Sequence, residues 1–105
     1  MKATGFKQLT LPPLALSSDM RVNAILTAAD KALRVVIKNK SAASCFFGEA
    51  SESMIGPDAP GADVFEIEPD DEEIYVLAPQ QKLYGCANAI GATVDVTWSE
   101  MVPLL

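Results

Sequence analysis

The apolar residues of this chain fall in short runs that alternate with polar residues, a pattern typical of β-strands with one buried face. In the run that begins at residue 33, Leu33, Val35 and Ile37 alternate with more polar neighbours, and residues 92–98 alternate in the same way. Clusters of Gly, Pro, Asn and Asp separate the runs, as turns do. The pattern predicts strands near residues 32–39, 43–48, 63–68, 73–77, 82–87 and 92–98.

Residues 20–32 allow two interpretations. In the first, Ser18 caps a helix whose apolar face includes Val22, Ile25 and Leu26, at helical spacing. In the second, residues 22–27 form a strand and residues 28–31 form the turn that follows it. We favour the strand, because the next run is plainly β and hairpin loops of about four residues are common.

Many short strands separated by turn residues predict an all-β fold, an antiparallel β-sandwich or a jelly-roll-like barrel. Residues 74–77 are apolar at every position, which predicts a central strand buried on both faces. A Rossmann or P-loop architecture is excluded, because the chain has neither a glycine fingerprint nor alternating helices.

The first nineteen residues differ from the rest. Residues 6–11 alternate, but Pro12 and Pro13 exclude a helix and remove two donors from any β-ladder. We interpret residues 1–19 as an extended N-terminal arm or edge strand, and residues 20–105 as a single β-sandwich domain. The arm carries too much apolar surface to leave in water, so we expect it to dock on a neighbouring subunit or partner. Its predicted partner-binding residues are Phe6, Leu9, Leu11, Leu14 and Leu16.

Phe47 joins these predicted partner-binding residues. Phe46 and Phe47 are adjacent in one predicted strand, so their rings point to opposite faces. At least one of the two rings is therefore expected at the surface or at a contact between subunits.

Composition narrows the possible functions. A chain of 105 residues is one domain by length. Its net charge is −6 and its eight Lys and Arg residues are scattered, so we expect no nucleic-acid partner. We also expect no membrane partner, because no apolar stretch approaches the roughly 20 residues of a membrane-spanning helix. We expect no secretory signal, because no apolar region follows Met1 and Lys2. In a reducing cytosol Cys45 and Cys86 are then expected to be buried thiols, with a disulfide between them as the alternative.

The residues offer little for catalysis. The chain has no histidine, so a serine or cysteine nucleophile lacks its usual base, and its two cysteines lie in no zinc-binding spacing. Six carboxylates in residues 66–73 form either a Ca²⁺ site or a solvated acidic face. We favour the solvated face, because the spacing does not match an EF-hand loop. We therefore expect no enzymatic activity, no cofactor and no metal.

Three aromatic residues, Tyr75, Tyr84 and Trp98, have two interpretations. They form a sugar-stacking platform on one sheet face, or they pack in the core. Trp98 shares its face with Val94 and Val96, which favours the core.

The order of segments over the last seventy or so residues resembles the small β-sandwich structural proteins of tailed bacteriophages, especially head decoration (cement) proteins and related head or tail accessory proteins. An apolar strand ends in Asn39-Lys40-Ser41, and the next strand ends in Phe46-Phe47-Gly48. A loop rich in Pro and Gly leads to Phe65-Glu66-Ile67. The strands Leu83-Tyr84-Gly85-Cys86-Ala87 and 92–100 complete the resemblance.

The resemblance implies a non-enzymatic virion protein, made in the cytoplasm of a bacterial host, that binds and stabilises a lattice of major capsid protein. It also implies a homo-oligomer, with extended arms that reach across the capsid. The alternatives are another phage head, tail or fibre accessory protein, a carbohydrate-binding β-sandwich module, or a subunit of an enzyme whose catalytic partner lies elsewhere.

Overall fold

The computed structural model describes residues 4–13, 24–50 and 64–101. These residues contain eight β-strands and no helix. The strands are β1 (Thr4–Thr10), β2 (Ala24–Thr27), β3 (Leu33–Asn39), β4 (Cys45–Gly48), β5 (Phe65–Ile67), β6 (Glu72–Leu77), β7 (Lys82–Ala87) and β8 (Thr93–Glu100). The six strands predicted from the alternation are confirmed, and so is the strand interpretation of residues 22–27 over its described part, residues 24–27.

The strands form two four-stranded antiparallel sheets. The first sheet has the order β1-β8-β3-β6, and the second has the order β2-β7-β4-β5. Every strand pairs with its counterpart from the other end of the chain: β1 with β8, β2 with β7, β3 with β6 and β4 with β5. Such nested pairing is one long hairpin rolled upon itself, which is the jelly roll. The predicted fold class is confirmed.

Two tight turns of the same kind enclose β6. In the turn before it, Pro69 precedes Asp70 at φ 66°, and the Asp71 N–H donates to the Glu68 carbonyl at 3.0 Å. In the turn after it, Pro79 precedes Gln80 at φ 70°. Proline presets the first central residue of such a turn and the second needs positive φ, so both turns, each of which connects one sheet to the other, follow from local sequence.

The core lies between the inner faces of the two sheets. Val35 and Ile37 of β3 and Val94 and Val96 of β8 are fully buried in it. The second sheet contributes further buried side chains, namely Cys45, Phe47, Ile67, Leu83 and Ala87. The alternation seen in the sequence is therefore the alternation between core and outer face.

Phe47 requires a glycine on the neighbouring strand. Gly85 is its cross-strand partner, and a Cβ at Gly85 would lie 2.8 Å from the Phe47 ring and 3.3 Å from Leu11. A side chain at residue 85 would therefore overpack the core.

Residues 4–13 belong to the sandwich and are not a free arm. Strand β1 pairs with β8 over its whole length, from Thr4 opposite Ser99 to Thr10 opposite Thr93. Pro13 then forms a bridge with Ala87 on the second sheet. The edge-strand alternative therefore holds for this segment, whereas residues 1–3 and 14–23, including the predicted boundary at residue 19, lie outside the described residues.

The prediction of a central strand at residues 74–77 was wrong. Among the described strands, β6 is paired only with β3 and lies at an edge of the first sheet. Leu77 is buried, but Ile74 and Val76 on the opposite face remain 57% and 53% exposed. An apolar run does not show by itself whether its second face is covered by the same chain.

Candidate functional site

The described residues contain no cluster suited to metal binding. No three His, Cys, Asp or Glu residues within them lie close enough to hold an ion. The acidic residues of the 66–73 segment are all exposed, as expected for a solvated face. No helix among the described residues is long and apolar enough to cross a membrane.

The structure separates the residues that were predicted to bind a partner. Leu11 and Phe47 are buried in the core, at 2% and 0% exposure, and Leu9 packs partly buried against it. Assigning these three residues to a partner surface is corrected, because the inner faces of both sheets already enclose them. Phe6 remains 62% exposed, while Leu14 and Leu16 lie outside the described residues.

The three aromatic residues considered as a sugar platform do not share a face. Tyr75 and Trp98 belong to the first sheet and pack against the core, whereas Tyr84 belongs to the second sheet and packs with Cys86. The Trp98 ring lies over Gly5, its cross-strand partner, and Lys7 Nζ lies 5.6 Å from the ring centroid. The core interpretation of Trp98 is confirmed, and these three described side chains form no platform for carbohydrate binding.

Tyr75 lies at the end of a stack of aromatic rings. Phe47 stacks on Phe65 at 5.8 Å between centroids, and Phe65 stacks on Tyr75 at 5.1 Å. The Tyr75 hydroxyl donates a hydrogen bond to a Glu49 carboxylate oxygen. Burial, followed by this hydrogen bond and the Glu49 charge, raises the pKa of Tyr75 to about 12. The phenol therefore stays protonated at neutral pH and serves as a structural donor.

Both cysteines are buried thiols on adjacent strands. Cys45 lies opposite Ala87, and Cys86 lies opposite Phe46. The two thiols therefore point to opposite faces of the second sheet and are not joined. Burial raises the pKa of both, that of Cys86 to about 11, so neither is a reactive thiolate at neutral pH.

The outer face of the first sheet carries an apolar row. Cross-strand register places Phe6, Thr97, Val36 and Ile74 side by side across all four strands. Val76 lies in the next row along β6. We call Phe6, Thr97, Val36 and Ile74 the apolar row. Among the five large hydrophobic side chains that the described residues expose, three lie on this face: Phe6, Ile74 and Val76.

Charged residues flank the apolar row on both sides. On one side, Gln8, Asp95, Lys38 and Glu72 form a row across the sheet, which we call the charged row. On the other side, Arg34 is paired with Ser99 and Val76. The face is thus apolar at its centre and polar at its margins, as protein interfaces are.

The two edge strands of this sheet carry charged residues that oppose the addition of another strand. Lys7 on β1 and Glu73 on β6 lie on the inner face, in one row with Val96 and Ile37. A charge near the middle of an edge strand on the core side opposes the addition of another strand. The outer face has no such device over its apolar row.

Within the charged row, Asp95 lacks a hydrogen-bond partner for one oxygen. Its Oδ1 is shielded from solvent and makes no hydrogen bond. Its cross-strand neighbour Lys38 instead donates from Nζ to the Asp70 carbonyl. Among the described residues, Asp95 Oδ1 therefore has no direct donor.

Sequence reasoning missed this face, although the signal was present. Because successive residues of a strand point to opposite faces, Phe6 lies on the face opposite to Leu9 and Leu11. In the same way, Ile74 and Val76 lie on the face opposite to Tyr75 and Leu77. The sequence of each edge strand therefore indicates an apolar outer face as well as an apolar inner face.

No protein-family model and no curated protein matches the chain. Among solved structures, the chain is similar to a protein of Bacillus endospore appendages, which form disulfide-linked pili. The TM-score is 0.54 and the sequence identity is 8%, and the match covers 98% of this chain and 88% of that chain. At this identity the likeness is one of fold alone.

Proposed function

We propose that this chain is a non-enzymatic structural protein that packs against copies of itself and against a larger protein assembly. The observation that carries the proposal is the apolar row on the outer face of the first sheet. Phe6 and Ile74 at its two ends are more than half exposed. Soluble monomers rarely leave contiguous apolar surface uncovered unless it is an interaction site.

The likeness of fold supports this proposal. The similar Bacillus protein belongs to appendages that form pili, so a jelly roll of this kind occurs in an extended protein assembly. The described residues of this chain offer no cluster of metal ligands, and the chain has no histidine. Packing is the activity that these residues support.

The sequence resemblance to phage decoration proteins supports a more specific form of the proposal. In that form the chain is made in the cytoplasm of a bacterial host and becomes part of the virion. Its partner there is the major capsid protein or another head or tail protein, and binding stabilises the lattice. The jelly roll is also a fold of viral capsid domains.

Two measurements test the proposal. Sedimentation and negative-stain electron microscopy of the purified chain are expected to show a defined oligomer or larger assembly. Antibodies against the chain are expected to label the surface of virions released from the source cells. The proposal is contradicted if the chain is monomeric and antibodies against it label no particle. Reproducible turnover of a substrate by the purified chain also contradicts it.

A further inference from the structure

We propose that the outer face of the first sheet is the contact between two copies of this chain. The two copies are related by a two-fold axis that lies in the plane between them, runs parallel to the strands and passes over the midline between β8 and β3. The inference rests on the proposed function, since it specifies how a self-assembling subunit meets its copy. Its basis is the order of side chains along the apolar row and the charged row.

A two-fold axis in this position places β8 of one copy over β3 of the other and β1 of one copy over β6 of the other. Each cross-strand row of one copy lies over the same row of the other. Such a contact uses the same surface on both copies. In the apolar row, Phe6 of one copy then faces Ile74 of the other, and Thr97 faces Val36. Each pair occurs twice, so the most exposed apolar side chains of the face are covered by one another.

The charged row is self-complementary about the same axis. Asp95 of each copy faces Lys38 of the other, and opposite charges across an interface fix its register. An axis perpendicular to the strands, along the apolar row, places Arg34 of one copy over Lys38 of the other. Because like charges then oppose each other at the centre of the contact, the arrangement parallel to the strands is favoured.

The geometry of sheet packing allows this contact. Two β-sheets pack face to face about 10 Å apart with their strands within about 30° of each other, a gap that long side chains bridge. Lys38 of the second copy supplies a cation opposite the Asp95 carboxylate of the first. Lys7 and Glu73 disfavour the competing arrangement in which β1 and β6 join edge to edge.

The first test compares two isoleucines. Ile74 is 57% exposed and belongs to the apolar row, whereas Ile90 is 89% exposed in the turn before β8. Ile74→Lys is expected to weaken the dissociation constant for self-association by at least about tenfold, because burying such a side chain is worth more than one decade in affinity. The matched control Ile90→Lys is expected to leave it unchanged. Sedimentation equilibrium measures the constant, and circular dichroism checks that both variants fold.

The second test uses charge reversal on separate copies. Asp95→Lys and Lys38→Glu each place like charges opposite each other in a homodimer, so each variant alone is expected to associate weakly. In a mixed pair, the lysine introduced by Asp95→Lys in one copy faces the glutamate introduced by Lys38→Glu in the other. The unchanged Lys38 of the first copy faces the unchanged Asp95 of the second. Mixing the two variants is therefore expected to restore association. Damage confined to one protomer is not repaired by mixing.

The outcomes separate this inference from the proposed function. If the chain self-associates but Ile74→Lys has no effect and mixing restores nothing, the two-copy contact is overturned and the proposed function stands. If the wild-type chain remains monomeric at the highest soluble concentration, the contact is likewise overturned. Labelling of virions by antibodies then decides the proposed function separately.

Discussion

At the scale of single residues, Asn39 shows how one polar side chain secures the junction of three segments. It is fully buried, and its Nδ2 donates to the carbonyls of Ala43 and Ile67 at 2.8 and 2.9 Å. Its Oδ1 accepts hydrogen bonds from the Ser41 N–H and hydroxyl at 2.9 and 2.8 Å. Because every group is satisfied, the residue is structural and links β3, the loop after it and β5.

We expect Asn39→Asp to lower the free energy of unfolding by about 3 kcal/mol or more. The substitution keeps the shape of the side chain but replaces two donated hydrogen bonds with a carboxylate facing two carbonyls. Asn88→Asp is the matched control, because Asn88 is exposed and such surface changes usually stay within about 0.5 kcal/mol. Denaturant unfolding measures both, and equal effects would refute the structural role of Asn39.

The raised pKa of Tyr75 predicts that the folded state loses stability at alkaline pH. Its folded pKa of about 12 lies above the usual value of about 10 in an unfolded chain. Between these values the folded state holds the proton and the unfolded state loses it. The stabilising contribution of the protonated phenol is therefore constant below pH 10 and is lost as the pH rises toward 12.

Ultraviolet titration of the phenolate tests this expectation, with Tyr75→Phe identifying the signal and Glu49→Gln as the companion variant. Glu49→Gln is expected to lower the Tyr75 pKa only in part, because burial is its larger cause. A wild-type titration in which Tyr75 ionises near its usual value would show that the phenol is not buried against the core as described.

At the scale of elements, most strands follow from the sequence because a pleated strand forces a period of two on any chain with one buried face. Two features did not follow. The order of strands within a sheet is decided by nested long-range pairing, so β6 at residues 74–77 was placed at the centre instead of the edge. The segment at residues 6–11 was treated as one apolar surface, although its alternation assigns Phe6 to one face and Leu11 to the other.

Strand β1 gives a prediction that separates an arm from an integral strand. Leu11→Ala is expected to lower the free energy of unfolding by about 2–5 kcal/mol, because Leu11 is 2% exposed in the core. Phe6→Ala is expected to change stability by less than about 1 kcal/mol while weakening self-association. Thermal unfolding and sedimentation measure the two effects. Equal stability of both variants would mean that the segment is a docking arm after all.

At the scale of the whole molecule, the fold leaves neither cysteine on the surface. Both are fully buried, and they face opposite sides of one sheet. The pili formed by the structurally similar Bacillus protein are disulfide-linked, whereas this chain has only these two cysteines. Any assembly that this chain forms is therefore expected to rest on packing and charge.

The cysteines supply the corresponding test. Burial lowers access to each thiol, and the pKa of Cys86, raised to about 11, leaves almost no thiolate at neutral pH. A thiol-specific reagent is therefore expected to label the native chain only as fast as it unfolds, and a reducing agent is expected to leave the oligomer intact.

Ala42→Cys is the positive control, because residue 42 lies exposed in the loop after β3 and its thiol should react at once in the folded protein. Denatured wild-type chain should likewise react with two equivalents, one at each cysteine. Rapid native labelling of Cys45 or Cys86 would contradict their burial. Dissociation of the oligomer by a reducing agent would show instead that a disulfide joins the copies, and the packing of the apolar row would then not suffice to hold them together.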